Sequence, residues 1–426
     1  MIRADLLILS GVAIRLLRRS LSGAAVFLLL SAVPVGAQIA LSDAARLATE
    51  LDPNVTAMRQ QVASRTIGIQ QARYEYFPSL SVSAESGTTD AEGPGLTLTV
   101  AQVLYDWGLI RSKIKTATQA RVQAVSDLKM AVEDLTLQLS EAFLDAEVTE
   151  RKLRLTRDYA DYAGRLARQA EDRARAGLGD NGEVARARLE IARARDRLQT
   201  LESDLTMSLA QIEFLIGRPV PGVLPPPALD FPGRYAGKGE IVSAVRVAPN
   251  YIAGRAKVAE AEADVERLKA ARLPTIKLQA QGRADLNGGR TRTAIGISAG
   301  VDLNGSTLGG RGVQMAEREL EAARSSLQAI ERQMRNVART SLQHIASLRA
   351  TEQARVVQLE QARRVLDNYE KQFVAGQRDL IDVLTTGRDL YDAQIDQVDT
   401  YDERKRTEYQ AARDLGVLGT LILATS

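Results

Sequence analysis

Proline placement constrains this chain more than any other feature. Six of its twelve prolines crowd into the stretch from Pro219 to Pro232, while none occurs from Gly95 to Arg218 or from Thr275 to the C-terminus. A proline inside a helix removes a backbone hydrogen bond and clashes with the preceding turn, so two proline-free runs of this length permit very long helices. The crowded stretch reads as an extended linker at about 218–238 that divides the chain into near-equal halves. The halves repeat each other. Pro53-Asn54 is followed 25 residues later by Pro78-Ser-Leu-Ser-Val-Ser-Ala, and Pro249-Asn250 is followed 25 residues later by Pro274-Thr-Ile-Lys-Leu-Gln-Ala, an offset of 196. Val103-Leu-Tyr-Asp-Trp-Gly108 pairs with Val301-Asp-Leu-Asn-Gly305 at 198, and Ala176-Gly177 pairs with Ala375-Gly376 at 199.

Within each half the period of hydrophobicity changes twice. Ile67 to Tyr76 and Ala259 to Ala271 read as helices that stop before Pro78 and Pro274, because a residue preceding proline is pushed out of the α region. Two strands follow in each half, expected at about 78–88 and 95–105, then at about 274–283 and 293–303. Leu80, Val82 and Ala84 alternate with serines, and Leu96, Leu98 and Val100 with threonines. Ile276, Leu278 and Ala280 alternate with Lys and Gln, and Ile295, Ile297, Ala299, Val301 and Leu303 mostly with Gly and Ser. Each is about ten residues, the length of a tilted membrane strand. Turn-like loops around Ser86-Gly87 and Asn287-Gly-Gly join them.

After each hairpin the pattern turns helical for about 70 residues, on the order of 100 Å at 1.5 Å per residue. Val313, Ala316, Leu320, Ala323, Leu327, Ile330, Met334 and Val337 step by three and four as a coiled-coil seam, and Leu128, Val132, Leu135 and Leu139 do the same in the first half. Each long helix is expected to end at a glycine turn, Ala176-Gly-Leu-Gly-Asp-Asn-Gly182 or Ala375-Gly-Gln-Arg-Asp379. Glycine at a helix C-terminus followed by Asp or Asn as cap of the next helix makes an antiparallel helical hairpin. His344 falls on the continuation of the seam and reads as a packed or solvated helical residue, not a ligand.

The N-terminal segment 1–37 reads as a secretory leader: Arg15, Arg18 and Arg19, an apolar run from Leu21 to Val35, and small residues at Val35-Gly36-Ala37. The run is about 15 residues against the roughly 20 that a spanning helix needs, so the mature protein is expected to begin at Gln38. The mature part carries 52 basic and 52 acidic residues, so no basic surplus suggests a nucleic-acid partner. With no cysteine and one histidine, the lipoprotein route is closed, disulfides are excluded, and an exported hydrolase lacks its nucleophile and base set. No cofactor or metal is expected.

This order of parts resembles the TolC-like outer membrane factors over essentially the whole mature chain. The specific pieces are Pro78-Ser-Leu-Ser, Val103-Leu-Tyr-Asp-Trp-Gly108, and Phe373-Val-Ala-Gly-Gln-Arg-Asp-Leu-Ile-Asp-Val-Leu384 followed by Leu390-Tyr391. The resemblance implies a mainly α fold with a membrane β-barrel, built from the duplicated helix, β-hairpin, long helix-turn-helix unit (38–217 and 239–426). Three protomers would close a twelve-stranded barrel above an α-helical coiled-coil barrel. Four strands alone cannot close a barrel, and a bilayer does not tolerate unpaired edges, so physics also asks for an oligomer.

The resemblance further implies a passive duct in the outer membrane of a Gram-negative bacterium, in a tripartite efflux or type I secretion system. Its partners would be a periplasmic adaptor gripping the tips around Gly177, Leu178 and Gly376, an inner-membrane pump or ABC exporter, and outer-membrane lipid. The Leu-Tyr-Asp-Trp-Gly strand exit resembles members serving type I protein secretion. By motif position, Arg378 matches the family's gating arginine, Glu183 its acidic partner, Phe373 an aromatic gate residue and Asp382 an acid of the pore constriction. Thr385 stands where a second constriction acid is usual. Asp379 and Asp382 also suit a helix N-terminus simply through the dipole. Tyr76, Phe77, Tyr105 and Trp107, with Tyr74, flank strand ends as a membrane-interface belt or as core packing. A soluble periplasmic coiled-coil scaffold or adaptor is the alternative; an adaptor would need a β domain between Ala176 and Glu183, where there is no room.

Overall fold

A computed structural model describes residues 38–85, 94–177, 179–286, 291–301 and 310–424. The expected leader, both strand-connecting loops, Leu178 and Gly305 lie outside the described residues. The first repeat runs α1 (Leu41–Leu51), α2 (Pro53–Tyr74), β1 (Ser79–Glu85), β2 (Gly95–Tyr105), α3 (Leu109–Arg175) and α4 (Asn181–Ile216). After the proline-rich segment come α5 (Phe231–Tyr235), α6 (Lys238–Val247), α7 (Pro249–Ala270), β3 (Thr275–Asp285), β4 (Arg292–Gly300), α8 (Arg311–Val374), α9 (Leu380–Asp414) and α10 (Leu418–Ala424). Helices α2 and α7 are both 22 residues long and both carry proline at the first position, where a preset φ helps and no helical N–H is lost. They therefore start earlier than the apolar pattern from Ile67 and Ala259 suggests. Asp52 caps α2 by accepting the Val55 N–H at 2.7 Å.

The four strands form one antiparallel sheet in the order β1-β2-β3-β4. Its register puts Leu80, Val100, Ala280 and Ile295 in one cross-strand row, and Val82, Leu98 and Gly282 in the next. The rows of Ser81, Thr99 and Gln281 and of Ser83, Thr97, Arg283 and Arg292 fall on the opposite face, because successive side chains alternate. The apolar face is largely bare: apart from partly covered Ile276, its large side chains are from 37% (Val100) to 79% (Ile295) exposed. On the polar face Arg283 of β3 reaches across Gly95 to Glu85 of β1 at 2.9 Å and meets Asp285 at 3.4 Å. Strands β1 and β4 each keep one unpaired edge.

Below the sheet the long helices take over. The 67 residues of α3 span about 100 Å, and α8 has 64. On α8 the buried positions Ala316, Ala323, Met334, Ala338, Ile345 and Leu348 continue the seam, with Val313, Leu320, Leu327, Ile330 and Val337 partly covered. His344 lies beside that line, not on it: it is half exposed, its Nε2 3.4 Å from Glu403.

Midway along the helices a second layer wraps them. Helices α1, α5, α6 and α10 and the proline-rich segment pack with Leu139 and Phe143 of α3 and Tyr409 of α9 into one apolar core. The proline-rich segment is extended but docked. Ile39 bridges Val223, the Tyr409 hydroxyl donates to the Pro227 carbonyl at 2.8 Å, and buried Lys405 donates to the same carbonyl at 3.0 Å. The glycine that caps α8 in the left-handed region is Gly310 (φ 65°), the counterpart of Gly108 (φ 90°) before α3. The repeat offset there is 202, not the 198 read from the valines. It returns to 199 at the far turns because α8 is three residues shorter than α3.

Candidate functional site

Two places gather the residues singled out by sequence. The first is the junction of sheet and helices. Strand β2 carries a bulge between Val103 and Tyr105, so Leu104 is the extra residue and the strand bends as it leaves the sheet. Asp106 then accepts the Gly108 N–H at 3.0 Å and the Ile110 N–H at 2.6 Å, which satisfies two of the unpaired donors that open a helix. Trp107 sits at φ 57°, a conformation costly for a bulky side chain, and its indole donates to the Pro274 carbonyl at 3.0 Å. Tyr105 meets Trp107 edge-on at 4.8 Å, and Tyr74 meets Phe77 at 5.9 Å. Tyr74, Tyr76, Phe77, Tyr105 and Trp107 are all exposed, at the same end of the bare apolar face.

The second place is the far end of the helices. Gly177 (φ 73°) and Gly376 (φ 71°) supply the left-handed step that ends α3 and α8. Asp180 caps α4 by accepting the Glu183 N–H at 2.9 Å; Asp379 precedes α9 without such a bond. Arg378 donates to Gln372 at 3.0 Å and to Asp382 at 3.1 Å, with its guanidinium 3.9 Å above the Tyr369 ring. Arg378 and Asp382 thus meet within one hairpin. Glu183 belongs to the other hairpin, and its Oε2 is buried with no hydrogen-bond partner among the described residues. The Thr385 hydroxyl turns back to the Ile381 carbonyl at 2.8 Å.

Phe373 does not project from the turn. Its side chain is buried in a small core shared by both hairpins, with Leu166, Ala170, Val184, Leu380, Val383 and Leu384, and the Arg173 guanidinium lies 4.9 Å over its ring. Two residues that the sequence did not flag, Tyr159 and Tyr162, hold this core together with Val383 and Tyr391 of the quoted motif. Tyr162 donates to the Val383 carbonyl at 3.0 Å, and Tyr159 stacks on Tyr391 at 4.8 Å. Tyr159 also donates to the buried carboxylate of Glu190 at 3.2 Å, which takes Arg193 at 2.7 Å. Burial, then the Glu190 charge, pushes the Tyr159 hydroxyl far above its ordinary pKa; burial does the same to Tyr162. Beside them opens a cavity of about 280 Å³ lined by Glu190, Arg193, Arg197, Arg388 and Asp392. Burial also raises the Asp392 carboxyl. The one visible signal was Gly387, since glycine in a helix interior costs about 1 kcal/mol relative to alanine.

Among the described residues no helix is long and apolar enough to cross a membrane, and no group of three or more His, Asp or Glu is arranged to hold a metal ion. The arrangement can offer a greasy strand surface, a long helical body and polar turns.

Comparison with known proteins gives the same picture. Residues 44–218 and 243–416 match the family described as outer membrane efflux protein. The pyoverdine export outer membrane protein OpmQ of Pseudomonas aeruginosa is 27% identical over 82% of this chain and 73% of its own length. The cobalt-zinc-cadmium resistance protein CzcC of Cupriavidus metallidurans is 24% identical over 84% of this chain and 85% of its own. Protein CyaE of Bordetella pertussis is 29% identical over 56% of this chain, a match that spans 53% of that relative. Among solved structures, the outer membrane protein VceC of Vibrio cholerae superposes with a TM-score of 0.74 at 17% identity, covering 88% of this chain and 96% of its own. CusC does so at 0.76 and 12% identity, covering 88% and 91%.

Proposed function

Because this chain belongs to the outer membrane efflux protein family, we propose that it is the duct subunit of a tripartite export machine. Three copies close a twelve-stranded barrel in the outer membrane and continue it as a helical barrel into the periplasm. The observation that carries this reading is the four-stranded sheet with one bare apolar face, one polar face and two open edges. Four strands from each of three chains remove every edge, set the apolar rows against lipid and turn Ser, Thr, Gln and Arg to a wet lumen. A soluble scaffold would leave that face in water, where patches of this kind drive association. The junction aromatics then stand at the membrane–water interface.

The duct is passive, and no catalytic step is assigned to it. Energy comes from an inner-membrane pump or ATP-driven exporter, joined by a periplasmic adaptor at the tips around Gly177, Leu178 and Gly376. Cargo choice belongs to that transporter. At the tips Arg378 of one protomer pairs with Glu183 of its neighbour and holds the mouth shut. The opposite charges of the two residues, each at the turn of its own hairpin, support the pairing. Three copies of Asp382 around the axis favour cations, an effect that Arg378 blunts from 3.1 Å away.

Single-channel conductance of the purified mature protein in a planar bilayer tests this, with Arg378→Ala and Glu183→Ala run beside wild type. A small conductance that rises in both variants, with stronger cation preference in Arg378→Ala because Asp382 is unmasked, is the expected result. Variants indistinguishable from wild type would remove the gate assignment. Folded protein that never conducts would remove the duct.

A further inference from the structure

A close approach between the two helical hairpins lies above the turns, at residues outside the gate assignment. Gly387 of α9 faces Tyr162 of α3 so closely that a Cβ there would fall 2.2 Å from the ring's Cε1, well inside contact distance. The ring is 9% exposed, so it has no room to swing aside. Its hydroxyl reaches past Gly387 to the Val383 carbonyl one turn away, at 3.0 Å. One turn in the other direction, Tyr391 stacks on Tyr159 at 4.8 Å and shares a hydrogen bond with the Thr156 hydroxyl at 3.0 Å. Thr156, Tyr159 and Tyr162 step by three along α3, and Val383, Gly387 and Tyr391 step by four along α9. A ridge of threes seated in a groove of fours fixes both the spacing and a shallow crossing angle of two helices.

We propose that Tyr162 and Gly387 are positioning residues of the periplasmic mouth: the tyrosine ring seated on glycine sets the separation of the two hairpins within each protomer, and so the resting width of the opening. The proposal rests on the duct reading for its consequence, not for its geometry. Any other residue at 387 wedges α9 away from α3. To restore ordinary carbon–carbon contact the helices must part by about 1.5 Å at this level. Phe143, in the wrapped core, lies about 28 Å above the joint and Gly177 about 22 Å below it at 1.5 Å per residue. Pivoting at the core turns that displacement into about 2–3 Å at the tips.

The chain has no cysteine, so spin labels can be placed without background at Arg175→Cys and Val374→Cys. These side chains are 76% and 80% exposed on the two tips. Labelled chain is diluted into unlabelled chain so that the distance read lies within one protomer, and conductance is recorded on the same preparations. Gly387→Ala should lengthen the tip-to-tip distance by about 2–3 Å and raise conductance severalfold. The double variant Tyr162→Ala/Gly387→Ala, which removes the ring that the new methyl group strikes, should bring the distance back towards wild type. Tyr162→Phe, which keeps the ring and loses only the hydrogen bond, should leave the mean distance unchanged. The proposal is overturned if Gly387→Ala keeps the wild-type distance, or if the double variant stays as wide as the single one. Should Gly387→Ala fail to fold, the double variant must fold, and its failure also overturns the proposal. A wild type that never conducts would sink the duct reading, while the label distances would still judge the joint.

Discussion

Truncating Phe373 to alanine distinguishes a ring that blocks a lumen from a ring that holds two hairpins together. The side chain is 4% exposed and packs with Leu380, Val383 and Leu384 of its own hairpin and with Leu166, Ala170 and Val184 of the other. Removing a buried phenylalanine costs about 3–5 kcal/mol in lost transfer energy and residual cavity. The Arg173 guanidinium 4.9 Å above the ring loses its cation–π contact as well, roughly another 0.5–1 kcal/mol. This core is separate from the one midway along the helices, so the loss falls on local opening of the tips. Each 1.4 kcal/mol is about tenfold, so amide exchange should accelerate by about 10²- to 10⁴-fold in 160–170 and 380–391. Residues 135–146, in the wrapped core, should keep their rates. Phe373→Leu retains most of the apolar volume and should cost under about 1.5 kcal/mol, a change of tenfold or less. Hydrogen–deuterium exchange by mass spectrometry reads all three segments in one experiment. If Phe373→Ala altered conductance while tip exchange stayed at wild-type rates, the ring would belong to the lumen and the packing argument would be wrong.

Other perturbations have equally definite signs. Asp106→Ala deletes the acceptor for the Gly108 and Ile110 N–H groups. It should weaken the start of α3 by about 1–2 kcal/mol and speed exchange at Ile110 by roughly tenfold or more, with Asp106→Asn intermediate. Glu133 is buried and accepts the Gly419 N–H at 3.2 Å; burial raises its carboxyl above the ordinary 4.5, against the lowering pull of Lys129. Because the folded state then takes up the proton more readily than the unfolded one, its contribution is largest below the ordinary value and is lost as pH rises through the folded value. Thermal midpoints should therefore fall as pH rises above the ordinary 4.5 more steeply in wild type than in Glu133→Gln. Leu98→Lys puts a charge on the bare face near the strand centre and should cost about 2–4 kcal/mol of membrane-inserted stability. Thr99→Lys, one residue along on the polar face, should be tolerated, and the heat resistance on gels of the proposed trimer reads both.

The duplicated plan was legible because its markers are local. Pro53 and Pro249 start the equivalent helices α2 and α7, Gly177 and Gly376 end the equivalent long helices α3 and α8, and strict alternation around Leu98 and Ile297 declares strands. Where the reading fell short, the cause was long-range. Aligning the repeats on Val103 and Val301 overlooked that the second sheet-to-helix connection is longer and α8 shorter, since no residue type marks an insertion in a loop. Phe373 carries the signature of a gate within its motif, and its burial in the single chain depends on packing against the opposite hairpin, about 200 residues earlier. Tyr162 and Gly387 are separated by 225 residues, and neither belongs to the apolar seams read from the sequence. Only the oddity of a glycine inside a 35-residue helix hinted at a close neighbour.

The two turns of one chain share a backbone path but not a chemistry. The first is closed by the Asp180 carboxylate on the Glu183 N–H; the second lacks that cap and is braced by Arg378 between Gln372 and Asp382. In the proposed ring of three chains these turns would alternate, six in backbone outline but three and three in what they offer to a touching surface. Six identical partner chains docked on such a ring would fall into two inequivalent sets, one seated on capped turns rich in glycine and acid, the other on turns presenting a braced arginine. On the trimeric reading, the chemistry of such a footprint is threefold and not sixfold, set by the subunit before any partner arrives.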